Sequence, residues 1–260
     1  MQREFEALRC VNARKVRPET IVLESIGPCV SAGLLMFAFP PGSPLRSRFA
    51  LALAGVIGLF SLFALLAEEV VMDRRYWLDR TTSLELRQFA TSDRTEAVRA
   101  ITELGASWCA AIVCGSILLW LIWHRRFSTA VAIGGIFVLA KALETGLKLT
   151  FERARPSVVP HLQDAGGYSF PSGHTMTAVI TYGLLAAVLV SQLRGRARYV
   201  PPVMAALIVA AVGFSRVYLG VHYLTDVLAG TLVAGACLIL AITALHTLDR
   251  QPVPANHPLR

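Results

Sequence analysis

Eight residues in the second half of the chain are of types, and at spacings, that suit one task. Lys148 stands seven residues before Arg155, which Pro156 follows. Next come Pro171-Ser172-Gly173-His174, then Ser215-Arg216, with five residues separating Arg216 from His222 and Asp226 four further on. Phosphoryl transfer needs cations and amide donors around three equatorial oxygens, and a nucleophile in line with the leaving oxygen. Arg155 and Arg216 offer planar forks that match phosphate oxygens, and Lys148 adds a compact charge. Ser172 and the Gly173 amide can donate where a helix begins, and glycine lets the backbone approach an anion closely. Imidazoles such as His174 and His222 can be neutral nucleophiles or charged acids near physiological pH, and Asp226 can hold a ring nitrogen of His222. If a helix has begun by Val221, His222 and Asp226 share its face; if it begins later, the loop must supply that geometry.

In order and internal spacing these stretches resemble the three signature motifs of the type 2 phosphatidic acid phosphatase family, whose phosphate site is shared with the vanadium haloperoxidases. The resemblance is confined to the second half of the chain and is complete there. It implies that His222 attacks phosphorus to give a phosphohistidine, and that His174 protonates the leaving oxygen and then activates water. It further implies Asp226 as the partner of His222, and Lys148, Arg155, Ser172, Gly173 and Arg216 as the phosphate cage. Neither metal nor cofactor is expected, since the histidines lack zinc-type spacing and no carboxylate cluster suits magnesium. The implied substrates are lipid phosphates or diphosphates: undecaprenyl diphosphate, phosphatidylglycerol phosphate or phosphatidate. A phosphotransferase using the same site, or a non-catalytic lipid-binding or transport protein, stays open as an alternative. Singly, each residue has an ordinary explanation: a headgroup anchor for an arginine, an interfacial polar group for a histidine, a helix N-terminal charge for Asp226 with Thr225 as cap. Their joint occurrence at these spacings is what favours a site.

The elements that must position these residues are apolar. In 260 residues, 55% are hydrophobic and 16% charged, which places the chain in the membrane class. Nineteen uncharged residues lie between Arg48 and Glu68 and 20 between Glu103 and His124, each enough to cross a hydrocarbon core of roughly 30 Å. Further runs at about 128–147, 175–193, 199–217 and 227–248 bring the expected number of spans to six, all helical because lipid offers backbone amides no other partner. The expected fold is therefore an all-α, six-helix polytopic membrane bundle over 49–248. A cytoplasmic or interfacial segment, 1–48, precedes it and a short cytoplasmic tail, 249–260, follows. Within 1–48, residues 26–39 suggest a re-entrant or interfacial stretch, their 14 residues being short for a seventh span, and whether they cross is left open; the polar first 25 residues do not resemble a cleavable signal peptide.

A net charge of +8 invites a nucleic-acid reading, but the basic residues sit at span ends. Arg46 and Arg48 precede the first run, Arg125 and Arg126 follow the second, and Arg194, Arg196 and Arg198 follow the fourth. The positive-inside rule makes those ends cytoplasmic, so 68–103, 149–174 and 218–225 fall on the outer face of a cytoplasmic membrane, with every motif in these segments or at the span ends bordering them. No nucleic-acid partner is expected, and the oligomeric state is left open. Segment 68–103 reads as an interfacial helix or as a plain connecting loop. Lys141 and Glu144 read as a buried ion pair beside Lys148, and Glu152 and Arg153 as solvated. Cys10, Cys29, Cys109, Cys114 and Cys237 show no paired or metal-like spacing and read as free thiols.

Overall fold

The computed structural model describes residues 44–248. The expectations for 1–43, including Cys10, Cys29 and the stretch 26–39, and for the tail 249–260 lie outside the described residues. A division falls at Ala50/Leu51, within the first described helix, and the contacts and the site described below lie from Leu51 onward.

Among the described residues the secondary structure is helical throughout. In chain order the helices are α1 (Pro44–Val71), α2 (Tyr76–Gln88), α3 (Ser92–Thr102), α4 (Ser107–Trp123), α5 (Phe127–Phe151), α6 (Gly173–Gln192), α7 (Val200–Tyr218) and α8 (Leu224–Leu248). Short 3-10 turns, Glu103–Gly105 and Gly195–Tyr199, precede α4 and α7. Five helical segments are long and apolar enough to cross a membrane: Ser47–Val71, Phe127–Phe151, Gly173–Gln192, Gly195–Tyr218 and Leu224–Leu248. These match five of the six expected spans. The sixth is more complicated than a single run from Glu103 to His124. At 17 residues, about 25 Å of rise, α4 is short for a crossing, and it forms a span only together with Ser92–Gly105, bent by 41° at the junction.

The reason for that break is local. A side chain at Gly105 would place its Cβ 2.6 Å from Val212 Cγ1 and 2.9 Å from the His174 carbonyl oxygen, so the chain passes α6 and α7 too closely for anything but glycine. Ala106 is then extended (φ −72°, ψ 151°), and α4 starts afresh at Ser107. The latter part of the expected outer segment 68–103 is thus helical and joined end to end with the second span.

The first part of that segment is helical too. Along α2 the polar Asp79 and Ser83 are buried, while Tyr76, Trp77 and Leu84 are exposed. This inversion of the usual pattern suits a helix whose outer face meets lipid or headgroups. Packing centres on α6, which lies against α7 and α8, with α8 also on α5. Phe170 joins the loop preceding α6 to the bundle: it is fully buried, 5.8 Å from the Phe63 ring and 4.9 Å from that of Phe151.

Helix ends aim the motifs. Glu152 adopts a left-handed conformation (φ 44°) with its N–H returned to the Lys148 carbonyl, which stops α5 and turns the chain toward Arg153 and Arg155. Pro201 and Pro202 occupy the first turn of α7, where their missing N–H groups cost no helical bond.

Candidate active site

A cavity of about 270 Å³ opens where α5, α6, α7 and the α3–α4 junction meet the loops 152–172 and 219–223. Its walls carry Lys148, Arg155, Gly173, His174, Arg216 and His222, six of the eight residues singled out by spacing. Four cationic side chains, Lys141, Lys148, Arg155 and Arg216, face two carboxylates, Glu144 and Asp164, so the space favours an anion.

Each cation is held differently. Glu144 accepts from Lys148 Nζ at 2.8 Å and from Lys141 Nζ at 2.7 Å, so the expected pair is a triad on one face of α5. Its carboxylate lies where a side chain at 173 would be: a Cβ on Gly173 would collide with Glu144 Oε1. Glycine at 173 therefore admits Glu144 as well as any anion. Arg155 is anchored on backbone carbonyls, donating to Gly166 (2.7 Å), Gly167 (3.0 Å) and Val221 (2.7 Å). Arg216 is 3% exposed, and its Nη1 donates to Thr102 Oγ1 at 2.9 Å. Its Nε is buried without a hydrogen-bond partner, the state of a donor that an anionic oxygen would complete.

His222 is buried beneath the cavity. Asp226 Oδ2 lies 3.3 Å from Nδ1, a long contact, and Arg155 Nη1 lies 3.4 Å from Nε2. With the carboxylate as acceptor, the proton sits on Nδ1 and Nε2 keeps its lone pair. Burial holds the His222 pKa below the ordinary imidazole value. The Arg216 and Arg155 charges act in the same sense, and Asp226 opposes them. Because α8 begins only at Leu224, the loop does supply the His222–Asp226 geometry. Asp226 Oδ2 accepts the Tyr223 N–H at 2.9 Å, and the His222 N–H returns to the Arg216 carbonyl at 3.2 Å.

Two expectations change. Ser172 is fully buried and is not among the cavity's lining residues; its hydroxyl accepts from Thr175 and its N–H donates to the Asp226 carbonyl, tying the start of α6 to that of α8. Gly230 permits this close approach, since a Cβ there would lie 2.8 Å from the Ser172 carbonyl oxygen. Arg153, expected to be solvated, is instead inserted between two fully buried carboxylates, with Nη1 2.6 Å from Asp226 Oδ1 and Nη2 2.8 Å from Asp79 Oδ2. It also stacks 4.3 Å from the Tyr223 ring. Burial opposes its charge, but Asp226 and Asp79 outweigh that and raise its pKa.

Asp79 was invisible to sequence reasoning. It also accepts the Thr225 N–H (3.0 Å) and hydroxyl (2.6 Å), so Thr225, expected as a cap, is itself capped by a residue 146 positions away. A carboxylate on a helix with aromatic neighbours gives no signal of such a partner. Thr102 and Gln163, which hold Arg216, escaped notice for the same reason. Among the described residues no group of three or more His, Cys, Asp or Glu could hold a metal ion.

Residues 129–250 match the PAP2 superfamily. Phosphatidylglycerophosphatase B of Bacillus subtilis is 32% identical over 176 residues, 67% of this chain and 86% of that protein. Decaprenylphosphoryl-5-phosphoribose phosphatase of Mycolicibacterium smegmatis is 33% identical over 138 residues, 51% of this chain and 68% of that protein. The crystal structure of a transmembrane PAP2-type phosphatidylglycerolphosphate phosphatase from Bacillus subtilis superposes with a TM-score of 0.67 at 28% identity, covering 76% of this chain and 98% of that one. With its spans, its anion-seeking cavity and these relatives, the chain belongs to the PAP2 superfamily, as a membrane-spanning phosphatase.

Proposed function

We propose that the protein hydrolyses a lipid phosphate or lipid diphosphate through a phosphohistidine on His222, at the outer face of a cytoplasmic membrane. One observation carries the reading: two histidines and four cationic side chains, one with a buried unpartnered N–H, line a single cavity among membrane-spanning helices. His222 Nε2 would attack phosphorus as the bond from phosphorus to the leaving oxygen breaks, with His174 giving that oxygen its proton. Water would then attack the phosphohistidine, His174 taking the water proton as the N–P bond breaks and phosphate leaves. Lys148, Arg155 and Arg216 neutralise the equatorial oxygens, which is the work a metal does elsewhere, so activity is expected to survive EDTA.

A lipid substrate follows from the cavity's reach along the membrane. Lys148, Glu144 and Lys141 span about 10 Å of α5 axis, and Ser107 and Thr177 continue the lining on α4 and α6. A headgroup can thus reach the cage while its chains stay between helices. The outer-face assignment rests on Arg125, Arg126, Arg194, Arg196 and Arg198 lying at the turns opposite the motif-bearing loops. Phosphatidylglycerol phosphate is the first candidate, because a relative is named for it, with undecaprenyl diphosphate and phosphatidate next.

Detergent-purified protein should release phosphate from one of these lipids with EDTA present, and should carry an acid-labile, alkali-stable phosphoryl label during turnover. His222→Ala should lose both. Turnover or label persisting in that variant would remove His222 as nucleophile. A phosphorylated acceptor lipid in place of free phosphate would make the enzyme a transferase.

A further inference from the structure

We propose that Asp79, acting through Arg153, is a positioning residue that keeps one uncompensated negative charge behind His222. The inference rests on the reading of His222 as the attacking group. The four side chains form one chain, His222–Asp226–Arg153–Asp79, buried except for the half-buried Arg153, with contacts of 3.3, 2.6 and 2.8 Å. Thr225 closes it, its hydroxyl donating to Asp79 Oδ2 at 2.6 Å and accepting from Arg153 Nη1 at 2.7 Å.

Charge counting shows what the distant carboxylate contributes. Asp226 and Asp79 bring two negative charges and Arg153 one positive, so with His222 neutral the group carries −1. When Nε2 bonds to phosphorus with Nδ1 still protonated, the ring becomes cationic and the group returns to zero. Without Asp79, Arg153 would already neutralise Asp226, and the developing imidazolium would face a spent carboxylate. Arg153 cannot be omitted either. It locks Asp226 Oδ1 while the Tyr223 N–H holds Oδ2, which fixes the carboxylate plane and its aim at Nδ1. Asp79 reaches this chain from α2, outside the three motifs, so α2 takes part in the site's electrostatics although none of its residues lines the cavity.

The other charges around His222 are Arg155 in the preceding loop, Arg216 on α7 and His174 on α6, with the Lys148–Glu144 pair of α5 across the cavity. None is altered by the variants below, so changes in the acid limb of kcat/KM report on the chain itself.

Asp79→Asn retains an acceptor for Thr225 but brings the group to zero. We expect kcat to fall roughly ten- to thirtyfold, KM to hold, and the acid limb to move to lower pH. Arg153→Gln leaves the group at −2, and its acid limb should move to higher pH. The double variant returns to −1 and should recover part of the activity lost in Asp79→Asn. Opposite shifts in the two single variants support the charge role, and either one alone tests it should the other not fold. Loss of activity with an unmoved acid limb, or a double variant no better than Asp79→Asn, would overturn it and leave a structural tie only. Persistent turnover in His222→Ala would instead show that the nucleophile assignment had failed.

Discussion

Arg216 shows how a motif residue and its surroundings divide the work. Buried, anchored through one nitrogen to Thr102 and with Nε unpartnered, it can hold an oxygen through a charge-assisted bond without first giving up a protein contact. Arg216→Lys keeps the charge but loses the fork, and kcat/KM should fall about 10- to 100-fold, since such bonds carry about 1.5–3 kcal/mol. Steady-state kinetics across a phosphate-ester series checks this. His222 makes a pH prediction. Its pKa lies below the ordinary imidazole value because of burial, so its proton is lost at a lower pH folded than unfolded. The acid limb of kcat/KM should therefore lie below the ordinary imidazole range. The same shift stabilises the fold fully above the unfolded pKa, and that contribution is lost as pH falls toward the folded one, which thermal unfolding in detergent at stepped pH will show. At this scale spacing indicated which residues converge, since six of eight line one cavity. It could not show that Arg153 is half-buried or that Asp79 is its partner, because their contact joins positions 74 apart.

At the scale of elements, the site depends on where helices start and how closely they pass. Gly173 admits the Glu144 carboxylate, and Gly105 admits the backbone of His174. Gly173→Ala should dislodge Glu144 from Lys148 and lower kcat, with a modest loss of melting temperature. Gly105→Ala overpacks against Val212 and His174, with an expected cost of about 1–3 kcal/mol and reduced turnover. Gly146→Ala on α5 is the control: nothing lies within 4 Å of its added Cβ, so activity and stability should stay near wild type. Thermal unfolding and kcat on the three variants separate close approach from general helix effects. Hydropathy located five spans outright and the second without its bend, because a 41° change of helix direction leaves no mark on a window of apolar residues.

For the whole molecule, orientation is the property with the clearest test. With the site loops outside, a cysteine at exposed Ser157 should react with a membrane-impermeant maleimide in intact cells, and one at exposed Arg196 only after permeabilisation. The reverse pattern would move the site to the cytoplasmic face. Charge placement and apolar length, both one-dimensional properties, were enough for the all-helical membrane class, and motif spacing was enough for the phosphate chemistry. Both survive translation into sequence because lipid thickness sets helix length and because a helix or tight loop fixes residues a few positions apart. The chain from His222 to Asp79, the anchoring of Arg216 on Thr102, the retreat of Ser172 from the cavity and the bend before α4 were decided only by the tertiary structure. Each depends on which faces of α2, α3, α6, α7 and α8 come together, and that depends on packing among segments whose separation in sequence carries no information about their distance in space.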